Sequence, residues 1–330
     1  MVNMSFWDLL REAPPTPLGE RFSAAGVTLA IATNSECILE AARKTFELQA
    51  GPNLPAQMVM RLWVDAAARA SPPWPPPHFR GLDHLVFAAF DFENAFLVDL
   101  GRRRVIGTFS PAMAADLTYW NRVIFPALFG IVSPALGITA LHCACIARNG
   151  NALLLAGTSG SGKSTLSLAL AQNGFDFLSD DWTYFSRQGS DLLAWNSMSR
   201  LKLLPDARAH FAELAALEPV VSVNGELAYE VDPAEVFGVH RSEHARPRWV
   251  LFLDRQENPE FTLVEVTSTE AAMRLGEDLE DLPAILCDAR VFLQETVKNL
   301  ANRRCWELRY GGNPHAIAQA LSRFCESVGE

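Results

Sequence analysis

The six cysteines of this 330-residue chain, Cys37, Cys143, Cys145, Cys287, Cys305 and Cys325, include no C-x-x-C pair, and none has a histidine partner at zinc spacing. A zinc site of recognisable spacing is therefore excluded, and reduced, buried thiols are expected. Cys143-x-Cys145 alternates as on a strand, which places both side chains on one face. Positive charge is also short: 28 Lys and Arg against 38 Asp and Glu leave a net charge of −10. That balance disfavours nucleic acid and anionic membrane as main partners. The local clusters Arg102-Arg103-Arg104 and Arg241 to Arg248 read as solvated turns rather than binding patches. Internal repeats and a low-complexity tail are lacking as well. Asp8, Arg11 and Glu12 follow a short apolar start, the wrong pattern for a signal peptide, so a cytoplasmic location is expected. No long apolar run goes unbroken. Val123 to Leu141 is 19 residues without a charge, but Pro126, Gly130, Pro134 and Gly137 interrupt it. A buried helix, a turn and an apolar approach to the core explain it better than a membrane span.

What is present is a complete G-x-x-x-x-G-K-[ST] loop, Gly157-Thr158-Ser159-Gly160-Ser161-Gly162-Lys163-Ser164. The apolar run Ala152 to Ala156 precedes it as a strand, and Thr165 to Gln172 follows as a helix. Glycines 157, 160 and 162 let the backbone turn tightly and aim its N–H groups inward, where side chains would block a triphosphate. Lys163 is placed to reach the β and γ phosphates, and the Ser164 hydroxyl to bind Mg²⁺. With Thr165, these residues make the expected site for a nucleoside triphosphate, ATP with Mg²⁺.

An acidic pair arrives soon afterwards. Asn173-Gly174 stops the helix, and Phe175 to Ser179 reads as a short strand ending at Asp180-Asp181, 17 residues past Lys163. One helix and one returning strand would bring both carboxylates beside the phosphates. There they can divide the work, one holding metal and the other taking a proton from an attacking hydroxyl. The alternative is a solvated turn.

Together Leu141-His142, the stretch Asn151 to Leu166, and Gly174-Phe175-Asp176-Phe177-Leu178-Ser179-Asp180-Asp181 resemble the catalytic core of the HPr kinase/phosphorylase family and its related kinases. That core shares its fold class with phosphoenolpyruvate carboxykinase. The resemblance implies Asp181 as general base, Asp180 on the metal or its water, and His142 near the phosphates. Fainter likeness continues through Asp232 to Val239 and the strand Trp249 to Leu253, covering roughly residues 140 to 315. The family's Glu-x-Arg-Gly signature is not intact: Asn224-Gly225-Glu226 falls in its place, which leaves Glu226 as a weak metal candidate. Ser199 to Asp206 resembles a segment of related kinases, and its cations Arg200 and Lys202 could face phosphate or substrate, or be isolated surface charges. The first 135 residues do not resemble the family's N-terminal domain, which puts HPr itself in doubt as the acceptor.

Length suggests about two domains, and 49% hydrophobic with 20% charged residues is ordinary for globular proteins. The expected architecture is α/β and α+β. A smaller N-terminal α+β module, residues 1–135, would select the substrate and precede an HPr kinase-like P-loop domain over 136–330. In the module, strands are expected at Gly26 to Thr33, Val59 to Val64 and Leu85 to Phe90. Helices are expected at Ser35 to Leu48 and Ala112 to Phe129. Ala95 to Leu100 and Val105 to Gly107 suggest a hairpin. Ala13 to Pro17 reads as a proline-rich lead-in, and the Pro-rich run Ser71 to His78 as a rigid connection rather than a polyproline ligand. The function expected is an ATP-dependent kinase acting on a serine-like hydroxyl of a peptide, a protein or a small metabolite. Two alternatives stand beside it: a nucleotide-gated sensor that transfers nothing, and a phosphorylase or carboxykinase-like activity, although the chain is too short for full carboxykinase domains. A homo-oligomer is compatible with each.

Overall fold

The computed structural model describes residues 14–49, 55–196, 200–222, 225–256, 261–277, 279, 282 and 284–327. The N-terminal charges Asp8, Arg11 and Glu12, together with Ala13, Ser199 and Asn224, lie outside the described residues. The chain divides into two compact units, Met1–Val132 and Ser133–Glu330. Both mix helix and sheet, and among the described residues no helix is long and apolar enough to cross a membrane.

The first unit is one sheet covered by helices. Its strands are β1 (Leu18–Ala24), β2 (Val27–Thr33), β3 (Glu47–Leu48), β4 (Met58–Val64), β5 (His78–Leu82), β6 (Leu85–Ala89), β7 (Ala95–Asp99) and β8 (Arg104–Phe109), in the order β3-β1-β2-β4-β8-β7-β6-β5. The β2–β4 and β4–β8 pairs are parallel and the rest antiparallel. Alternation sets the buried face: Met58, Met60 and Leu62 of β4 are fully buried, whereas Val59 and Arg61 between them are exposed. Three strands, β1, β3 and β5, go beyond the sequence expectation, because their burial patterns do not alternate cleanly. The expected helix from Ser35 is α1 (Glu36–Thr45), and it stops short of Leu48. Phe46 turns extended there and buries its ring against Phe125, 5.1 Å between centroids, so that β3 can pair with β1.

The continuous helix expected over Ala112 to Phe129 is not formed. It is broken into α2 (Pro111–Ala115), α3 (Leu117–Tyr119), a π-helical turn (Trp120–Ile124) and α4 (Phe125–Val132). Asp116 is the cause: its carboxylate accepts the Tyr119 N–H at 3.0 Å and the Trp74 indole N–H at 2.9 Å, a local alternative to helix continuation. The π turn then rotates Trp120 fully into the core, where its N–H donates to the Met113 carbonyl at 2.9 Å.

The second unit is built on two long strands, β9 (Ile138–Arg148) and β17 (His244–Arg255). Between them in sequence lie β10 (Asn151–Ala156), α5 (Lys163–Gln172), β11 (Asp176–Ser179), β12 (Trp182–Gln188), β13 (Asp191–Trp195), β14 (Leu201–Leu203), β15 (Val220–Val221), β16 (Leu227–Val231) and α6 (Pro233–Phe237). After β17 come β18 (Thr262–Glu265), α7 (Ser268–Gly276), α8 (Cys287–Ala301), β19 (Arg304–Tyr310) and α9 (Pro314–Ser327). The C-terminal half of β9 pairs with β10 and β11, and its N-terminal half with β12. β10 is parallel to β17, and β17 to β19. Along β10, Leu153 and Leu155 pack with α5 and α9, whereas Ala152, Leu154 and Ala156 pack toward α7 and α8. Burial on both faces explains why this strand reads as an unbroken apolar run. Cys143 and Cys145 share the second of these cores as free thiols. Burial pushes the Cys143 thiol up to about 12 and that of Cys145 upward as well.

Candidate active site

The carboxyl ends of the parallel strands β10, β17 and β19 converge on the glycine-rich loop, the usual mouth of an α/β site. Gly157, Gly160 and Gly162 all take positive φ, +154°, +80° and +92°. A Cβ at Gly157 would sit 2.8 Å from Ser161 Oγ and 3.1 Å from the Leu253 carbonyl oxygen, and one at Gly162 would strike the Tyr310 hydroxyl. Tyr310, at the end of β19, donates to the Ser161 carbonyl oxygen at 2.6 Å and so holds the loop from outside. Burial raises its phenol to about 12, so it remains a donor at neutral pH.

Lys163 opens α5, and the Leu166 N–H makes an early helical bond to the Gly162 carbonyl at 2.9 Å. The N–H groups of a helix's first turn point toward the residues that precede it, here the loop, with the favourable end of the helix dipole behind them. The Lys163 ammonium is buried and donates to the carbonyls of Gly157 at 2.7 Å and Thr158 at 3.2 Å, across the cradle an anion would enter. Ser161 is also buried, and its hydroxyl has no hydrogen-bond partner.

Asp180 and Asp181 interrupt the path between β11 and β12, two strands that pair with the same β9. The two carboxylates have opposite surroundings. Asp180 is 3% exposed; its Oδ2 accepts the Lys202 backbone N–H at 2.9 Å, and its Oδ1 has no hydrogen-bond partner. Burial raises its carboxyl to about 6, opposed by the Lys202 N–H and by the nearby Ser164 hydroxyl. Asp181 is exposed, and its Oδ1 is 2.9 Å from His142 Nε2. That hydrogen bond, with the charges of Lys163 and Lys202 behind it, holds Asp181 below its ordinary value. Of two adjacent carboxyls, the outer one stays ionised and the inner one is reluctant to ionise unless a cation joins it.

His142 lies on the β9 face that continues through Ala144 and Ile146, the face packed on the α5 side. Glu226, just before β16, is tied to the Lys202 ammonium at 2.5 Å. Arg200 is exposed, just before β14. Asp232 caps α6 by accepting from Ala234 and Glu235, and it also pairs with Arg241 at 3.1 Å, so this segment does structural work. Arg246, from the same cationic stretch, pairs with Asp191 at 2.8 Å. Among the described residues no three His, Cys, Asp or Glu side chains gather as a metal site. The fit for Mg²⁺ is instead that of hard oxygens: the orphaned Asp180 Oδ1, the Ser164 hydroxyl beside it, and whatever phosphate oxygens the loop holds.

Sequence reasoning missed Tyr310, the Leu253 carbonyl and the Lys202 backbone N–H. Tyr310 is 149 residues from Ser161, and nothing local to it signals a role. Comparison with known proteins adds a resemblance. Among solved structures, the Hpr(Ser) kinase/phosphatase from Coxiella burnetii is similar over 58% of this chain and 99% of that chain, at 13% sequence identity and a TM-score of 0.31. No family model matches the chain, and no curated protein matches it. A structural similarity at that score carries no argument about activity, which has to come from the residues of the site.

Proposed function

We propose that the second unit is a Mg-ATP-dependent kinase that transfers the γ-phosphate to a serine-like hydroxyl. The observation that carries this reading is the unequal carboxylate pair. A protein that only senses nucleotide needs one carboxylate near the metal; here a second one stands exposed, ionised and oriented by His142. The loop from Gly157 to Thr165 would wrap the phosphates, with Lys163 leaving its carbonyl partners to meet the β and γ oxygens. Asp180 and Ser164 would hold Mg²⁺, with Glu226 a further candidate across Lys202. When bound, that ion would neutralise charge developing on the transferred phosphoryl group. Asp181 accepts the proton of the acceptor hydroxyl as its oxygen bonds to the γ-phosphorus. The bond from that phosphorus to the β–γ bridging oxygen breaks, and ADP leaves. His142 keeps the Asp181 carboxylate aimed, and Arg200 and Lys202 supply positive charge on the acceptor side.

The test is incubation of the protein with γ-labelled ATP and serine peptides or a cell extract, followed by location of the label. Transfer that requires Asp181 supports the kinase. Binding of Mg-ATP, with or without hydrolysis to labelled inorganic phosphate but with no transfer to any acceptor, supports the nucleotide-gated sensor instead, and conversion of a labelled acceptor to labelled pyrophosphate on addition of unlabelled inorganic phosphate supports a phosphorylase-like reaction.

A further inference from the structure

Trp182 follows the exposed carboxylate directly and opens β12, where it is in register with His142 on β9. The two rings stack, 5.6 Å between centroids and 29° between planes. Because the same imidazole is bonded to Asp181, the indole stands one ring away from the proposed base. Tyr184, two residues on, projects to the same side of the strand and is half-buried.

The exposure of Trp182 sets it apart. Trp120, Trp195, Trp249 and Trp306 are all buried, but Trp182 is 44% exposed. An indole offers far more apolar area than is needed to steady one imidazole, and this one leaves that area open next to the exposed carboxylate. Lys202, paired with Glu226, also acts electrostatically on Asp181.

We propose that Trp182 forms the acceptor wall of the site and selects a hydroxyl carried next to an aromatic or apolar group, in preference to an open polyol or an unadorned serine. This rests on the kinase reading above and adds the class of acceptor to it. The shared chemistry has two sources, a serine beside an aromatic residue in a peptide and a small alcohol bearing a ring. Each has its own experimental arm.

Transfer from γ-labelled Mg-ATP would be measured with the full chain and two pairs of probes. One pair is the peptide Ala-Ala-Ser-Phe-Ala-Ala against Ala-Ala-Ser-Ala-Ala-Ala, and the other is 2-phenylethanol against glycerol. In at least one pair the ring-bearing member should be used with about 10-fold higher kcat/KM, the scale of one aromatic contact. Trp182→Ala should raise KM for that member about 10-fold and erase the preference, while Trp182→Phe keeps most of it. KM for ATP should stay within about twofold in both variants, and that value also reports that they are folded. Equal use of both members of both pairs by the wild type overturns the proposal. So does a Trp182→Ala effect confined to kcat and its pH profile, which would make the indole only a support for His142, or an effect confined to the KM for ATP, which would make it a nucleotide contact. If the wild type binds Mg-ATP but labels neither probe pair nor any protein of an extract, the kinase reading itself falls and takes this one with it. Labelling of other acceptors alone removes only the proposal about Trp182.

Discussion

At the scale of single residues, the site is a set of charges with different solvation. Lys163→Ala removes the buried ammonium facing the loop carbonyls and should abolish nucleotide-dependent activity and weaken ATP binding. Calorimetric titration of the folded variant checks this, and an unchanged affinity would move the nucleotide elsewhere. The carboxylates should separate cleanly. Asp181→Asn keeps shape and loses basicity, so Mg-ATP affinity should hold while transfer slows by at least ~10²-fold. Asp180→Asn should weaken Mg-ATP binding itself, because it removes the buried oxygen without a partner. Reversed behaviour would exchange the two roles. Asp180 also predicts a pH dependence. Its carboxyl is raised from 3.8 to about 6 in the folded protein, so between those values the unfolded chain has lost a proton that the folded chain keeps. Stability of the metal-free protein should therefore fall as pH rises through that window, by an amount on the order of 3 kcal/mol, and Asp180→Asn should relieve the loss above it but not below it. Urea unfolding in chelator between pH 4 and pH 7.5 measures the difference; parallel wild-type and variant curves would contradict it.

Among secondary-structure elements, the loop depends on neighbours distant in sequence. Gly162→Ala would put a methyl group against the Tyr310 hydroxyl at a backbone angle that L-residues avoid, so both stability and nucleotide binding should drop. Tyr310→Phe removes only the 2.6 Å hydrogen bond to the Ser161 carbonyl, and should cost about 1–3 kcal/mol because the buried acceptor loses its partner. Denaturant titration of both variants, in comparison with wild type, measures these losses, and wild-type stability in either would contradict the clamp. In the first unit the broken helix makes Trp120 a core anchor packed on Phe109 at 4.7 Å and Phe125 at 4.9 Å. Truncating it to Ala should cost roughly 3–5 kcal/mol, whereas Ile106→Ala, on the exposed face of β8, should cost far less.

For the molecule as a whole, sequence and tertiary structure contributed different things. Local pattern was enough for the glycine-rich loop, the strand before it and the helix after it, because an apolar run, three glycines and a capped helix are each written within a few residues. The same holds for β4 and the β7–β8 hairpin, whose alternation is plain, and for β2 and β6, which are short and rich in apolar residues. The pair Asp180-Asp181 was also legible as two carboxylates at the end of a short strand, with a division of roles implied by the resemblance, but not the burial of one and the exposure of the other. Only the three-dimensional arrangement decides that Asp180 is sealed under the Lys202 N–H while Asp181 stands in solvent against His142, since burial is a property of what packs around a residue. Helix breaking at Asp116 depended on a Trp74 indole 42 residues away, and the clamp on the loop depended on Tyr310, brought over by β17–β19 pairing. The sequence by itself thus determined which groups could bind phosphate and which could take a proton. The tertiary structure decided which carboxylate is buried and which stands in solvent, because solvation and hydrogen bonding, not residue type, set the charge each one carries.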